Sequence, residues 1–126
     1  MNAPRILVVD DNAMNIDLVS FLLAADAMEV ESAVDATQAS ALIAAQHPDL
    51  ILMDIQLPGV DGLELTRRLK ADPATRHIVV VALTAYAMKG DEERMRAAGC
   101  DGYIAKPIEV ANFAERVRAF LAPPRR

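Results

Sequence analysis

The sequence predicts an α/β domain in which five parallel strands form one sheet, in the order 2-1-3-4-5, with five helices on both faces. Short apolar segments alternate five times with longer segments of helical periodicity, a pattern typical of repeated strand–helix units. Three apolar segments are nearly continuous, as in strands covered on both faces. The other two, which are short or interrupted by charged residues, predict weaker strands. Placing the weak strands at the edges, with right-handed crossovers, fits this strand order.

The strands are predicted from the apolar runs. The continuous runs at residues 6–9, 50–53 and 78–83 consist mainly of Ile, Leu and Val, which suits buried central strands. Residues 29–31 alternate charged and apolar side chains, and residues 102–105 form a short run. Both of these segments therefore suit the edges of the sheet.

Helices are predicted at residues 12–25, after Asp35, at 61–71, at about 91–98, and near the C-terminus. Asp35 and Gln38 have the spacing of a capping box. Pro73 is expected to end the third helix and Gly99 the fourth. Six apolar residues are expected to share the buried face of the last helix: Val110, Phe113, Ala114, Val117, Phe120 and Leu121.

Length and composition indicate one domain with an aliphatic core. The chain has 126 residues, of which 53% are hydrophobic and only 4% aromatic, with no tryptophan. The domain is expected to cover residues 3–122, leaving 123–126 as a short disordered tail. Met14, Met28, Met53 and Met95 are expected to fill the core, whereas Met88 falls in a predicted loop. Cys100 is expected to be a small buried apolar residue, and His47 and His77 to lie at the surface.

Charge and cysteine content exclude several classes of protein. The net charge of −5 argues against binding of DNA or RNA, which draws mainly on Lys and Arg. A single cysteine rules out an internal disulfide and fits a reducing compartment. No apolar run is long enough for a membrane span or a secretory signal, so no membrane association and a cytoplasmic location are expected.

Polar side chains follow four of the five predicted strands. Asp10 and Asp11 follow the first strand, Asp54 the third, Thr84 the fourth and Lys106 the fifth. Because ligands of open parallel sheets bind beyond the carboxyl ends of the strands, these side chains are expected to converge on one site.

Three close carboxylates would repel one another unless a cation lay among them. Magnesium prefers oxygen ligands and often combines one or two carboxylates with phosphate oxygens. Ligand type alone leaves calcium open, although no EF-hand pattern is present. The sequence therefore predicts a site for a hard divalent cation, with Mg²⁺ preferred.

These motifs together resemble the response-regulator receiver domain of bacterial two-component systems. The resemblance covers the whole chain and is carried by five motifs in order: Asp10 with Asp11, Asp54 with Pro58, Gly62, Thr84 with Ala85, and Lys106 with Pro107. It implies a flavodoxin-like (CheY-like) fold. Residues 87–94 and Gly99 with Cys100 further resemble single-domain members that regulate the cell cycle, although receivers fused to sensor kinases have similar segments.

The resemblance implies a role for each motif. Asp54 would accept a phosphoryl group from a histidine kinase or a histidine phosphotransfer protein and form an acyl phosphate. The protein would therefore not be a turnover enzyme acting on an external substrate. Asp11, Asp54 and the backbone carbonyl of Gln56 would ligate Mg²⁺, with Asp10 assisting through water. Lys106 and Thr84 would contact phosphoryl oxygens. These contacts would position the phosphoryl group and neutralise its negative charge.

The resemblance also implies a signalling mechanism. Thr84 and Tyr103 would form the switch pair, remodelling a surface that includes Lys89, Arg94, Glu109, Asn112 and Arg116 toward a downstream protein target. Tyr86 is expected to shield the acyl phosphate, while Gln56 either orients or blocks a water. Asn15, Ile16 and Val19 are expected to dock the phosphodonor, with core packing as the alternative for Ile16 and Val19.

Other functions fit the sequence less well. A haloacid-dehalogenase-like hydrolase would need a carboxylate at position 56, and a nucleotide carrier would need a glycine-rich phosphate loop after the first strand. A structural adaptor would not need these polar strand ends. Two alternatives within the family remain: a phosphate shuttle between histidines, and a receiver module of a hybrid histidine kinase.

Overall fold

The computed structural model describes residues 3–55, 62–85 and 89–121, with Lys89 and Asp91 described by their backbone alone. Five strands form one sheet in the order β2-β1-β3-β4-β5, and every neighbouring pair is parallel. The strands are β1 Arg5–Val9, β2 Glu29–Ala33, β3 Leu50–Asp54, β4 Val79–Thr84 and β5 Gly102–Ala105. The predicted fold class and strand order are confirmed.

Five helices connect and follow the strands. They are α1 Ala13–Ala25, α2 Ala36–Ala45, α3 Gly62–Ala71, α4 Lys89–Ala98 and α5 Phe113–Leu121. The fourth helix begins two residues before its predicted start, and the predicted tail lies outside the described residues. Within the described ranges, none of the helices has the length and apolar character that a bilayer crossing requires.

Short polar side chains cap the N-termini of the first two helices. Asn12 Oδ1 accepts a hydrogen bond from the backbone N–H of Asn15 at 3.1 Å, and Asp35 Oδ1 accepts one from Gln38 at 2.8 Å. The side chain of Gln38 in turn accepts from the backbone N–H of Val34 at 3.0 Å, one residue before the cap. These bonds satisfy donors that have no partner within the helix, so local sequence sets where both helices start.

The sheet separates two aliphatic layers. Alternate residues of β1 face opposite sides, with Ile6 and Val8 in one cluster and Leu7 and Val9 in the other. The first cluster is covered by α1 and α5, and the second by α2 and α3. A smaller third cluster joins α3 and α4 over β4. Burial on both faces explains the continuous apolar runs of the central strands.

Two expectations about apolar residues were wrong. Val110 lies before α5 rather than on its buried face and is 58% exposed, and Met14 on α1 is 82% exposed. Met28, Met53 and Met95 are buried, as expected. Helical periodicity continued through position 110, but the helix begins only at Phe113.

The two histidines lie at the surface as expected, whereas Cys100 is less buried than expected. Cys100 is half-buried against two core clusters, and burial raises the pKa of its thiol, while a hydrogen bond with Thr66 acts in the opposite direction. His47 and His77 are exposed, with ring centroids 5.6 Å apart. Gly99, at φ 101°, ends α4 as predicted, because a left-handed residue at this position favours glycine.

A lysine–aspartate pair joins the end of α3 to the segments that precede β4 and β5, at the amino edge of the sheet. Lys70 Nζ at the end of α3 lies 2.9 Å from Asp101 Oδ2 and donates to the carbonyl of Ile78 at 2.6 Å. The same carboxylate oxygen accepts from the backbone N–H of Val80 at 2.8 Å. This pair holds β4 and β5 together at the end of the sheet opposite the polar strand ends.

Candidate functional site

The parallel register brings the ends of β1, β3, β4 and β5 to one edge of the sheet. Asp10 directly follows β1, its N–H donating to the carbonyl of Ala33 at 3.0 Å. Asp54 is the last residue of β3 and Thr84 the last of β4, and Lys106 follows β5 with its N–H donating to the Thr84 carbonyl at 2.8 Å. The four side chains therefore start from adjacent strands at the same level of the sheet.

Asp54 is 5% exposed, and a glycine permits the local packing around it. A Cβ atom on Gly62, the first residue of α3, would lie 2.3 Å from the Asp54 carbonyl oxygen and 2.9 Å from Cα of Ile55. Any larger residue there would displace either α3 or the end of β3. The requirement for glycine at position 62 thus comes from the close approach of α3 to the backbone of Asp54.

Asp10 is fully buried and its carboxylate is held from α1. Its Oδ1 atom accepts from the backbone N–H of Asn12 at 2.9 Å, and its Oδ2 atom accepts from the side-chain amide of Asn15. Asn12 also caps α1, so one short segment fixes both the start of the helix and the orientation of the carboxylate. Asp11, in contrast, is exposed.

Asp10, Asp11 and Asp54 form an acidic cluster. Each offers one carboxylate oxygen, and these oxygens lie within 4.8 Å of one another. Lys106 Nζ lies 3.4 Å from Oδ2 of Asp10 and 3.4 Å from Oδ2 of Asp54. One ammonium group cannot balance three carboxylates, so a hard divalent cation fits this donor set by charge and by ligand type.

The remaining predicted site residues are distributed around this cluster. Thr84 is 1% exposed, and the Lys106 side chain is 24% exposed. Tyr103 is half-buried, and its hydroxyl donates to Oε2 of Glu92 on α4 at 3.5 Å. Gln56 and Tyr86 lie outside the described residues, as does Met88.

Sequence reasoning missed Asn12 and Glu92 and assigned Asn15 to partner docking. The signal for Asn12 and Asn15 was present, because an Asn directly before a helix, with a second Asn three residues later, is typical of a capped first turn. Glu92 carried no such signal, because its contact with Tyr103 joins residues of different elements.

The apolar residues exposed on α1 are not the apolar residues that were predicted to dock the phosphodonor. Val19 is fully buried and Ile16 packs against the core, so the core alternative holds for both. Met14, Leu18 and Phe21 are exposed instead, by 82%, 37% and 71%. Their spacing of four and three residues places them on one side of the helix, which we call the α1 apolar stripe.

A cleft of about 690 Å³ lies between Lys106 and two residues of the α1 apolar stripe, Met14 and Leu18. Its lining comes from the start of α1 and from the loops after β4 and β5: Asn12, Met14, Asn15, Leu18, Ala85, Lys106 and Pro107. The cleft therefore gives a partner access to Lys106 from the side of α1.

Comparison with known proteins identifies the family. Residues 6–118 match the response regulator receiver domain. The chain is 49% identical over 116 residues to the polar-differentiation response regulator DivK of Brucella ovis, covering 92% of this chain and 94% of that protein.

Solved structures agree. The receiver domain of a sensor histidine kinase from Pseudomonas aeruginosa, with a magnesium ion coordinated in its active site cleft, superposes with a TM-score of 0.85 at 34% identity, covering 94% of this chain and 98% of that one. The chemotaxis response regulator CheY4 of Vibrio cholerae superposes with a TM-score of 0.89 at 23% identity, covering 94% and 99%, a likeness of fold alone. By the family match, the relatives and the fold, this chain belongs to the response regulator receiver domains.

Proposed function

We propose that this receiver accepts a phosphoryl group on Asp54 from a phosphohistidine and signals by phosphorylation-dependent contact with a protein target. The donor would be a histidine kinase or a histidine phosphotransfer protein. The observation that carries the proposal is the buried carboxylate of Asp54 at a strand end, placed beside two further carboxylates and 3.4 Å from Lys106 Nζ. Receiver domains are signalling proteins, and this chemistry requires no external turnover substrate.

Mg²⁺ is the proposed cofactor. Asp10, Asp11 and Asp54 would hold it, together with the backbone carbonyl of Gln56. When bound, Mg²⁺ neutralises negative charge on the carboxylates and on phosphate oxygens. The magnesium ion in the related Pseudomonas aeruginosa receiver supports this assignment.

In the transfer step, an Asp54 carboxylate oxygen would attack the phosphorus of the phosphohistidine. The new O–P bond gives an acyl phosphate as the N–P bond breaks, and the electron pair of that bond returns to the imidazole ring of the donor. Lys106 would move to a phosphoryl oxygen, and the Thr84 hydroxyl would donate to another. Placing and neutralising the phosphoryl group supplies most of what phosphoryl transfer requires.

The α1 apolar stripe is the proposed docking surface for the phosphodonor. Two of its three exposed side chains, Met14 and Leu18, border the cleft that Lys106 also lines, so a partner packed on the stripe would present a histidine near Asp54. An exposed apolar strip at helical spacing suits packing against an apolar helix of the partner.

Thr84 and Tyr103 are the proposed switch. An acyl phosphate adds negative charge and strong hydrogen-bond acceptors, which would draw the Thr84 hydroxyl toward Asp54. Tyr103 would then turn inward and leave Glu92, changing the surface formed by α4, β5 and α5. Arg94 and Glu109 are exposed there, Asn112 and Arg116 are half-buried, and the side chain of Lys89 lies outside the described residues.

The similarity to DivK supports a role in cell polarity or cell-cycle control. The proposed location is the bacterial cytoplasm, a reducing compartment that suits a chain with a single cysteine. Two relay roles are alternatives: passing the phosphoryl group on to a second histidine, and serving as the receiver of a hybrid kinase. The 34% identity to the receiver of a sensor kinase supports the second. The net charge of −5 is unfavourable for binding to nucleic acid or to an anionic membrane surface.

The proposal is tested with acetyl phosphate and intact-mass spectrometry. Wild type with Mg²⁺ should gain one phosphoryl group, whereas Asp54→Asn, or wild type in excess chelator, should gain none. An adduct that persists in Asp54→Asn would move the acceptor elsewhere. If wild type formed no adduct and bound no Mg²⁺, a structural adaptor would become the better description.

A further inference from the structure

Asn15 contacts the buried carboxylate of the acidic cluster directly. Its side-chain Nδ2 donates to Oδ2 of Asp10, and its backbone N–H donates to the cap residue Asn12 at 3.1 Å. Asn12 itself donates through its backbone N–H to Oδ1 of Asp10 at 2.9 Å. Two hydrogen bonds thus link the start of α1 to the two oxygens of one carboxylate, and a third joins their donors, Asn12 and Asn15, to each other.

The Oδ2 atom of Asp10 is shared by two donors. It accepts from Asn15 and lies 3.4 Å from Nζ of Lys106, which is also 3.4 Å from Oδ2 of Asp54. Asp10 is fully buried, so its carboxylate needs hydrogen-bond donors to replace lost water. If Lys106 moved to a phosphoryl group on Asp54, Asn15 would remain as the donor to Oδ2.

We propose that Asn15 is a positioning residue: its amide holds Asp10 in place for the divalent cation and keeps the carboxylate satisfied when Lys106 leaves it. This inference rests on the proposed function, since it assigns Lys106 a move during phosphorylation. Asn15 acts through Asp10 and does not itself contact the phosphoryl group.

The neutrality of the amide suits this role. A lysine or arginine at position 15 would also donate to Asp10, but its charge would compete with the divalent cation. An amide donates without changing the charge of the cluster. The hydrogen bond between the Asn15 backbone and Asn12 also limits how the side chain can be displaced, because α1 is anchored at that turn.

The test compares Asn15→Leu, which keeps a similar volume without a donor, with Gln38→Leu on α2. Gln38 also contributes a side-chain amide to a helix start, but its contact is with Val34, away from Asp10. Mg²⁺ affinity is measured by calorimetry, thermal stability is measured in chelator, and phosphorylation by acetyl phosphate is followed at saturating Mg²⁺.

We expect Asn15→Leu to weaken Mg²⁺ binding about tenfold, as is typical when a hydrogen-bond partner of a metal ligand is removed. Phosphorylation of Asn15→Leu should remain slower than that of wild type at saturating Mg²⁺, because Asp10, without the amide donor, retains Lys106. Gln38→Leu should lower stability without changing either quantity. Asn15→Gln, which restores an amide, should recover part of the affinity.

Two results would overturn the inference. Asn15→Leu could lose stability as Gln38→Leu does while keeping wild-type Mg²⁺ affinity and phosphorylation, and Asn15 would then only anchor α1. Alternatively, wild type could bind no Mg²⁺ and accept no phosphoryl group, which would remove the proposed function as well. If Asn15→Leu does not fold, Asn15→Ala is measured in the same way.

Discussion

Nζ of Lys106 lies 3.4 Å from Oδ2 of Asp54, although the two residues come from different strands and a third strand, β4, lies between them. The lysine reaches across the carboxyl edge of the sheet and also contacts Asp10. Its charge thereby partly balances a cluster that a divalent cation would also occupy, so Lys106 and the cation should compete electrostatically.

Lys106→Met should therefore change Mg²⁺ binding and phosphorylation in opposite directions. Removing the nearby positive charge should tighten Mg²⁺ binding, by about tenfold at most at a partly screened site. Loss of the phosphoryl contact should slow phosphorylation by acetyl phosphate by roughly 100-fold. Calorimetry and a mass-spectrometric time course measure the two effects.

Lys70→Met provides the control for Lys106→Met. Lys70 also forms an ion pair, with the exposed Asp101, but at the opposite edge of the sheet. The Lys70→Met variant should be less stable than wild type but should bind Mg²⁺ with unchanged affinity. Weaker Mg²⁺ binding in Lys106→Met would contradict the competition described above.

Gly62→Ala should destabilise the protein and impair the site. The added Cβ would lie 2.3 Å from the Asp54 carbonyl oxygen, so α3 or the end of β3 must move. Overpacking of this kind costs about 1–3 kcal/mol in the free energy of unfolding, measured by urea denaturation. Gly90→Ala is the matched control, since its Cβ would meet no atom within 4 Å and should stabilise α4 by up to about 1 kcal/mol. Equal stability changes in the two variants would argue against the close approach at Gly62.

Phe21→Ala should weaken docking of the phosphodonor without changing the chemistry at Asp54. Truncating a 71% exposed aromatic on the α1 apolar stripe should slow transfer from a phosphorylated histidine protein by roughly tenfold, as is common when a large interface side chain is removed. Phosphorylation by acetyl phosphate should be unchanged. Val34→Ala, another exposed apolar residue, outside α1, is the control. Unchanged transfer in Phe21→Ala would place the docking surface elsewhere.

Thr84→Val should uncouple phosphorylation from target binding. It removes the hydroxyl while keeping a similar shape, so the acyl phosphate would form but could no longer draw this side chain toward it. Coupling between two sites commonly amounts to roughly 5–150-fold in affinity, and it should fall close to unity here. Thr75→Val is the control, because this buried hydroxyl donates to Leu69 at 2.7 Å at the other edge of the sheet. Full phosphorylation dependence in Thr84→Val would refute this switch.

Tyr86→Ala should shorten the lifetime of the acyl phosphate. The expectation rests on the position of Tyr86 two residues after Thr84, where a bulky side chain would restrict the approach of water. Phosphorylated protein is freed of phosphodonor, and the loss of the phosphoryl mass is followed over time. An unchanged lifetime would remove the shielding role of Tyr86.

Local sequence accounts for much of the fold. The continuous apolar runs of β1, β3 and β4 reflect burial on both faces of the sheet, and Asp35 and Gly99 mark helix ends through their own backbone and side-chain preferences. These signals failed at Val110 and Met14. Apolar residues at helical spacing can lie on a solvent-exposed face, and spacing alone does not state where a helix begins.

The sequence by itself determined the family, the strand order and the residues that stand at the strand ends, because periodicity and motif order are local properties of the chain. Only the tertiary structure decided that Asn15 holds Asp10, that Lys106 is shared by Asp10 and Asp54, and that Tyr103 contacts Glu92. These contacts depend on how strands and helices are placed relative to one another. Side-chain direction and burial at the site therefore follow from the packed sheet and helices, and no local pattern states them.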